Sequence, residues 1–392
     1  MPSPGVAASG RGLIPASSPP SLGDVLESGA PTPALAPGGP PSRSDRDAAA
    51  LAWRYFATHT DLSTGLAPVL SASNVTTPWT IGSQAAAILS AEDLGLVGAT
   101  ESRRRLHLVI DSVMAMSPSP DGRLGRRYDA RCLTPLNEQG RRTSEVSTAA
   151  PDEVSRLAGT LAIAVQRHPV LAAEGRPLLD RLMPCDRAAA PSVARPGFGR
   201  YALRAFALTG VALPPPTMGG AIVEGVIVPC VVGAGNSCVA ASDAVLLEAL
   251  EFGIDPASET ALRAIFEALR RHSLRADRVL APAGEDLRRR PWLRTTLVVA
   301  DGVEWAVWPR DTPAPSQLLT TKGAFGWSVL FDDPFARSMR LALDERVDAE
   351  SGWRFGLSDG RWTGDASADT NALVLEAVAY ATRGPLAPGA TR

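Results

Sequence analysis

The chain has 392 residues, 45% of them hydrophobic and 20% charged, with a formal net charge of -2. That length can bury one large core, and the interspersed acids and arginines make no basic field that would gather nucleic acid or anionic lipid. The most apolar stretch, Ala221 to Ala240, is broken by Glu224, Pro229 and several glycines and falls short of the roughly 18 clean apolar residues a membrane span needs.

Residues 1–44 carry no aromatic residue and are dominated by Pro, Ser, Gly and Ala, a composition that cannot offset chain entropy, so a disordered leader or linker is expected. No basic start followed by an unbroken apolar stretch marks a secretory signal. From Asp45 onward, apolar residues recur at three- and four-residue spacing between polar loops. This predicts helices over Asp45 to His59, Trp79 to Leu94, Glu101 to Met116, Asp152 to Arg167, Val170 to Leu182 and Arg200 to Leu208. A second group follows over Ser242 to Phe252, Ala257 to His272, Leu318 to Phe331, Phe335 to Val347 and Asp369 to Thr382, with one more near Arg275. Thr295 to Trp308 differs, because Leu-Val-Val and Trp-Ala-Val-Trp flank Asp301-Gly302, the pair that favours a two-residue hairpin turn.

About twelve helices with loops of unequal length and no fixed repeat fit a closed ring better than an open solenoid. The expected fold is all-α, an (α/α) toroid over residues 45–388 with a small β-hairpin insertion and a disordered tail at 389–392. Inner helices and the long loops at one end would surround a central cleft.

Of the 39 Lys and Arg residues, one alone, Lys322, is lysine. A compact ammonium suits a tight polar pocket where a planar guanidinium does not, although a remnant of codon drift would look the same. Trp79, Trp327, Trp353 and Trp362 sit in polar or Gly-rich stretches; core packing is the plain reading, and a platform for sugar faces is the functional one. Glu285 and Asp286 precede Pro291-Trp292 and the hairpin, where a carboxyl could be desolvated and act as an acid, or pair with Arg288 to Arg290 in solvent. Asp152, Glu153 and Arg156 open a helix, as caps or as a site. Asp369 would cap another helix, leaving Asn371 directed into the cleft. Cys132, Cys185, Cys230 and Cys238 lack zinc-site spacing, and a Cys230 to Cys238 disulfide stays open. His59, His107, His168 and His272 are isolated, and no nucleophile elbow or phosphate loop occurs, so neither metal nor cofactor is expected.

Taken in order, Thr64-Gly65-Leu66, Thr76-Thr77-Pro78-Trp79, Ala85 to Leu96, Arg156-Leu157, Gly225 to Pro229, Glu285-Asp286, Lys322 to Trp327, Gly352-Trp353, Thr370 to Ala377 and Tyr380 form a series. The series resembles bacterial domain-of-unknown-function family 3131, itself similar to glycoamylase-like (α/α) toroids. The resemblance implies an exported or periplasmic protein and a polysaccharide or oligosaccharide ligand. It departs from the family pattern where acids would be useful: Trp79 is followed by Thr80 rather than Asp, and Asp243-Ala244 stands near the family's Glu-Pro. Two expectations follow. The first is a glycoside hydrolase of the cell envelope, acting on a β-glucan or similar polymer by paired carboxylates. Glu285 would be its acid and Asp243 its second carboxylate. Trp79, Glu153, Arg156, Asp286, Lys322, Trp327, Trp353, Trp362 and Asn371 would bind substrate. The second is a glycan-binding or polysaccharide-secretion accessory protein without turnover.

Overall fold

The computed structural model describes residues 34–35, 38–183, 197–233, 238–284, 295–300, 302–308, 318–344 and 351–390. Among these residues eleven helices appear: α1 (Arg43–His59), α2 (Pro78–Asp93), α3 (Ala99–Ala115), α4 (Pro151–Arg167), α5 (Ala172–Leu182), α6 (Gly199–Ala207), α7 (Ser242–Phe252), α8 (Pro256–Ala276), α9 (Thr321–Leu330), α10 (Pro334–Asp344) and α11 (Ala368–Arg383). The extra helix expected near Arg275 is the last turn of α8. Leu318 to Thr320, expected as helix, is a strand.

The pattern of apolar residues decides which helices lie inside. In α2 the run Ala85, Ala86, Ala87, Ile88, Leu89 is wholly buried, and in α11 so is every residue from Ala368 to Tyr380. A helix apolar on all sides is stable only when surrounded by protein. By contrast α3 buries one stripe, Leu106, Val109, Ile110 and Val113, and turns Glu101 outward to Arg104 and Arg105. Helices α2, α4, α6, α7, α9 and α11 pack each on the next, and α11 returns to α2, which closes a ring of six. Helices α1, α3, α5, α8 and α10 lie outside it.

Short turns lead from inner to outer helices, and long excursions lead back. The inner helices run in one direction: Asp243 meets Lys322 and, three residues on, Leu246 meets Gly326; Arg200 bonds Glu248 and Arg204 bonds Phe252. Their N-termini and the long excursions therefore collect at one end. Hydroxyl caps fix three of those starts, with Thr77, Thr320 and Ser367 accepting from the N–H of Thr80, Gly323 and Thr370.

Close approach of α2 and α4 depends on Gly82, where a Cβ would lie 2.5 Å from the backbone N of Leu157. Backbone cannot yield as a side-chain tip can. Gly82→Ala is therefore expected to force the two helices apart and cost about 1–3 kcal/mol, read from the urea midpoint at unchanged slope.

The all-α expectation needs correction. A five-stranded antiparallel sheet, ordered β4 (Met218–Val223), β5 (Val226–Val232), β6 (Cys238–Ala241), β7 (Thr295–Ala300) and β8 (Val303–Trp308), replaces an outer helix between α6 and α7. The expected hairpin is its β7–β8 arm, with Ala300 paired to Val303 across a two-residue turn. The rest was masked by its apolar, Gly-rich sequence, which carries no clean period of two. A disulfide joins Cys230 on β5 to Cys238 on β6. A three-stranded sheet of β9 (Leu318–Thr320), β11 (Arg354–Ser358) and β12 (Arg361–Ala366) runs straight into α9 and α11. Two short pairs complete the strands. β1 (Ala34–Leu35) joins β10 (Phe331–Asp332), and β2 (Val75–Thr76) joins β3 (Tyr128–Asp129). Residues 34–35, within the expected leader, thus contact the ring, and the first helix starts at Arg43 behind a Ser42 cap.

Candidate functional site

Each inner helix places a chemically distinctive residue at its second position: Trp79 on α2, Asp152 on α4, Arg200 on α6, Asp243 on α7, Lys322 on α9 and Asp369 on α11. Because the helices are parallel, these residues belong to the N-terminal end of the ring, except that the Arg200 side chain reaches away from it to Glu248, Asp255 and Ser258. The unpaired N–H groups of a first helical turn favour carboxylates there, which suits Asp152, Asp243 and Asp369.

Asp243 and Lys322 are both 4% exposed and joined by a 3.0 Å bond from Nζ to Oδ2. The other Asp243 oxygen, Oδ1, is buried without a hydrogen-bond partner among the described residues. Gly284 closes over the pair. It has φ +77°, and a Cβ on it would sit 2.3 Å from Lys322 Nζ and 3.1 Å from Asp243 Oδ2. Neither an L side chain at 284 nor a guanidinium at 322 has room. Glu285 and Asp286, the next residues in the chain, lie outside the described residues.

Deeper along the axis lies a cluster that the sequence did not announce. Arg156, 1% exposed, donates from Nε to Glu251 at 3.0 Å, from Nη2 to Glu376 at 2.5 Å and from Nη1 to Ser83 Oγ at 2.8 Å. Ser83 in turn donates to Asp369 Oδ1 at 2.5 Å, so the cluster is tied to the mouth. Tyr201 donates to Glu251 at 2.6 Å, and the Arg156 guanidinium lies 5.4 Å from the Trp79 ring centre. Burial raises the pKa of Glu251 and lifts that of Glu376 well above the ordinary carboxylate value, while the Arg156 cation that both bond opposes the rise. Burial thus favours the protonated form of Glu376. Burial also keeps the Tyr201 phenol protonated, as its bond to Glu251 requires. The available signal was an acid inside an otherwise apolar helix, Glu251 after Leu246, Leu247, Ala249 and Leu250, and Glu376 after Leu373, Val374 and Leu375.

Several expected ligand residues have other work. Glu153 caps the start of α4 by accepting from the Ala150 N–H and pairs with Arg126 at 2.9 Å. Asn371 is fully used: its Oδ1 accepts from Trp353 N, and its Nδ2 donates to Trp353 O and Ser367 O. Asn371→Ala is expected to cost about 1–3 kcal/mol by leaving those groups unpaired, measured by thermal unfolding. Trp327, 0% exposed, packs with Phe266 and Phe331 and presents no face to a ligand. Trp353 is buried too, donating to Ala48 O, with its ring edge-on to Phe325; a stacking surface there is not what the geometry gives. Trp362 is partly buried beside it. Trp79 is buried but lies at the mouth, between Arg156 and Phe198. Among the described residues no group of three His, Cys, Asp or Glu is placed to hold a metal, and no helix is long and apolar enough to cross a membrane.

Residues 47–182 and 191–384 match the family described as a protein of unknown function, DUF3131. No curated protein matches the sequence. Among solved structures, a Bacteroides fragilis NCTC 9343 protein provisionally described as a glucoamylase is similar at 12% identity and TM-score 0.64, over 90% of this chain and 94% of that one. An endo-β-1,2-glucanase from Chitinophaga pinensis, in complex with sophorotriose and glucose, is similar at 11% identity and TM-score 0.59, over 88% of this chain and 93% of that one. An endo-β-1,2-glucanase mutant from Talaromyces funiculosus, in complex with β-1,2-glucan, is similar at 10% identity and TM-score 0.58, over 93% and 86%. At these identities the likeness is one of fold.

Proposed function

We propose, on the premise that this chain belongs to the DUF3131 family of proteins of unknown function, that its ring mouth binds a β-glucan or similar polysaccharide and hydrolyses it with paired carboxylates. The carrying observation is the set of three second-position aspartates, Asp152, Asp243 and Asp369, at the N-terminal end of a toroid whose fold is similar to that of endo-β-1,2-glucanases. In this reading Glu285 is the general acid, and Asp243 is the second carboxylate, held in place by Lys322. Trp79 and the Asp369–Ser83–Arg156 chain shape the floor. The Cys230–Cys238 disulfide supports an oxidising, exported location.

A second reading, glycan binding without turnover, is favoured by one observation. Asp243 is already committed to Lys322, so one of its oxygens is engaged before any substrate arrives. Reducing-end release from β-1,2-glucan and a panel of other β-glucans separates the two. Hydrolysis is expected from the wild-type chain, with a loss of about 10²-fold or more in Glu285→Gln and Asp243→Asn. Retention on a glucan column without release would select the binding protein. Full activity in Glu285→Gln would remove that residue from the acid role.

A further inference from the structure

A second concave site adjoins the ring mouth, between the C-terminal end of α1 and the segment that leads into α2. Its volume is about 480 Å³, and its wall includes His59, Thr60, Ser63, Ser71, Ser73 and Arg131. It neighbours the mouth through Ser71, whose N–H bonds the carbonyl of Ala366 just before the α11 cap.

The walls are fixed by the fold rather than by a ligand. Gln84 of α2 accepts from the Ala67 N–H and donates to Gly65 O, and Thr64 Oγ1 donates to Ala130 O. The Asp61 carboxylate, also in the wall, accepts from Ser63 N, Ser63 Oγ and Thr64 N at one oxygen; against the effect of burial, those bonds and the charge of Arg131 hold it below the usual carboxylate range. Arg131 is the opposite case. Its backbone N–H bonds Asp129, but among the described residues its exposed guanidinium makes no hydrogen bond or ion pair. His59 Nε2 and Thr60 Oγ1, on two lining residues, are buried with no hydrogen-bond partner among the described residues. Burial lowers the His59 pKa, so the imidazole is neutral and adds no second positive charge.

The wall thus offers one planar cation whose donors are not used by the described residues, among serine and threonine hydroxyls and beside an Asp61 carboxylate whose oxygen is taken by its own loop, in a volume sufficient for a short saccharide. A planar fork is matched by a carboxylate through two parallel hydrogen bonds, and the hydroxyls are matched by a polyol. We propose that this cavity is a second saccharide site that takes an acidic sugar, with Arg131 on its carboxylate and Ser63, Ser71 and Ser73 on its hydroxyls. Binding here does not pass through turnover at the ring mouth, so it stands or falls separately from the hydrolase reading.

The test is titration calorimetry of the full chain with cellobiouronic acid and with cellobiose, which differ by a carboxylate in place of a hydroxymethyl group. The acidic disaccharide is expected to bind about tenfold or more tightly than the neutral one. Arg131→Met is expected to erase that preference, and Ser73→Trp, which fills the cavity, to remove binding of the acid. Melting temperatures check that both variants are folded. Should Arg131→Met not fold, Arg131→Lys keeps the charge, loses the fork and is expected to weaken the acid alone. Equal affinity for the two sugars, no binding of either, or an unchanged preference in a folded Arg131 variant would overturn the proposal.

Discussion

Arg156→Met is expected to lower the unfolding free energy by about 3–5 kcal/mol, because it leaves two buried carboxyls without the cation that holds them. Glu251 and Glu376 are 0% and 2% exposed, and Arg156 bonds both. Methionine keeps much of the side chain's bulk but offers no donor. The penalty should therefore come from the acids rather than from lost packing. The same substitution in a Glu251→Gln, Glu376→Gln background should cost far less, and a double-mutant cycle by urea denaturation measures the difference. If Arg156→Met costs the same in both backgrounds, the cation is not neutralising the pair.

The same cluster predicts an unusual dependence of stability on pH. Burial raises the Glu376 pKa well above its ordinary value of 4.5 and raises that of Glu251 in the same direction. Between the ordinary and the raised value the native state binds more protons than the unfolded chain. Stability contributed by protonation of Glu376 is therefore fully present below 4.5 and is lost as pH climbs through the folded value. The slope for one proton is about 1.4 kcal/mol per pH unit. Burial depresses His59 and His272, which acts in the opposite sense, with stability rising toward their ordinary pKa of 6.5. Comparing wild type with Glu376→Gln cancels the histidines. The variant is expected to equal wild type near pH 4.5 and to exceed it increasingly at higher pH, as seen in melting temperatures at pH 5, 7 and 9. A constant offset between the two would mean that no proton is held. Acids with lowered pKa, such as Asp255 beside Arg200, act only below their ordinary range and leave this window clear.

The folded ring also explains why the acids at the mouth need not behave alike. Asp243 faces Lys322, whereas Asp369 is tied through Ser83 to Arg156, so each carboxylate has a different cation behind it. Environments of this kind divide acid and base roles between groups of the same type. The Arg131 cavity lies to one side of this arrangement and shares no residue with it.

By itself the sequence determined the helices, because a spacing of three and four residues states which face must be buried; it gave α1 to α4 nearly residue by residue. It also placed the β7–β8 turn through Asp301-Gly302, and it singled out Lys322 by composition. Tertiary structure alone decided the rest. Apolar periodicity says that a face is covered and not by what. Arg156 meets Glu251 across 95 residues and Glu376 across 220, and Lys322 meets Asp243 across 79. Three helix interiors looked equally apolar, and only closure of the ring turned their isolated charges toward one another. Trp327 and Trp353 were misjudged as platforms for the same reason: Gly-rich surroundings that looked like open loops belong to packed segments in which both rings are buried. The five-stranded sheet went unread because strands with uncharged, glycine-interrupted sequences acquire their inner and outer faces only by pairing and by packing on α8.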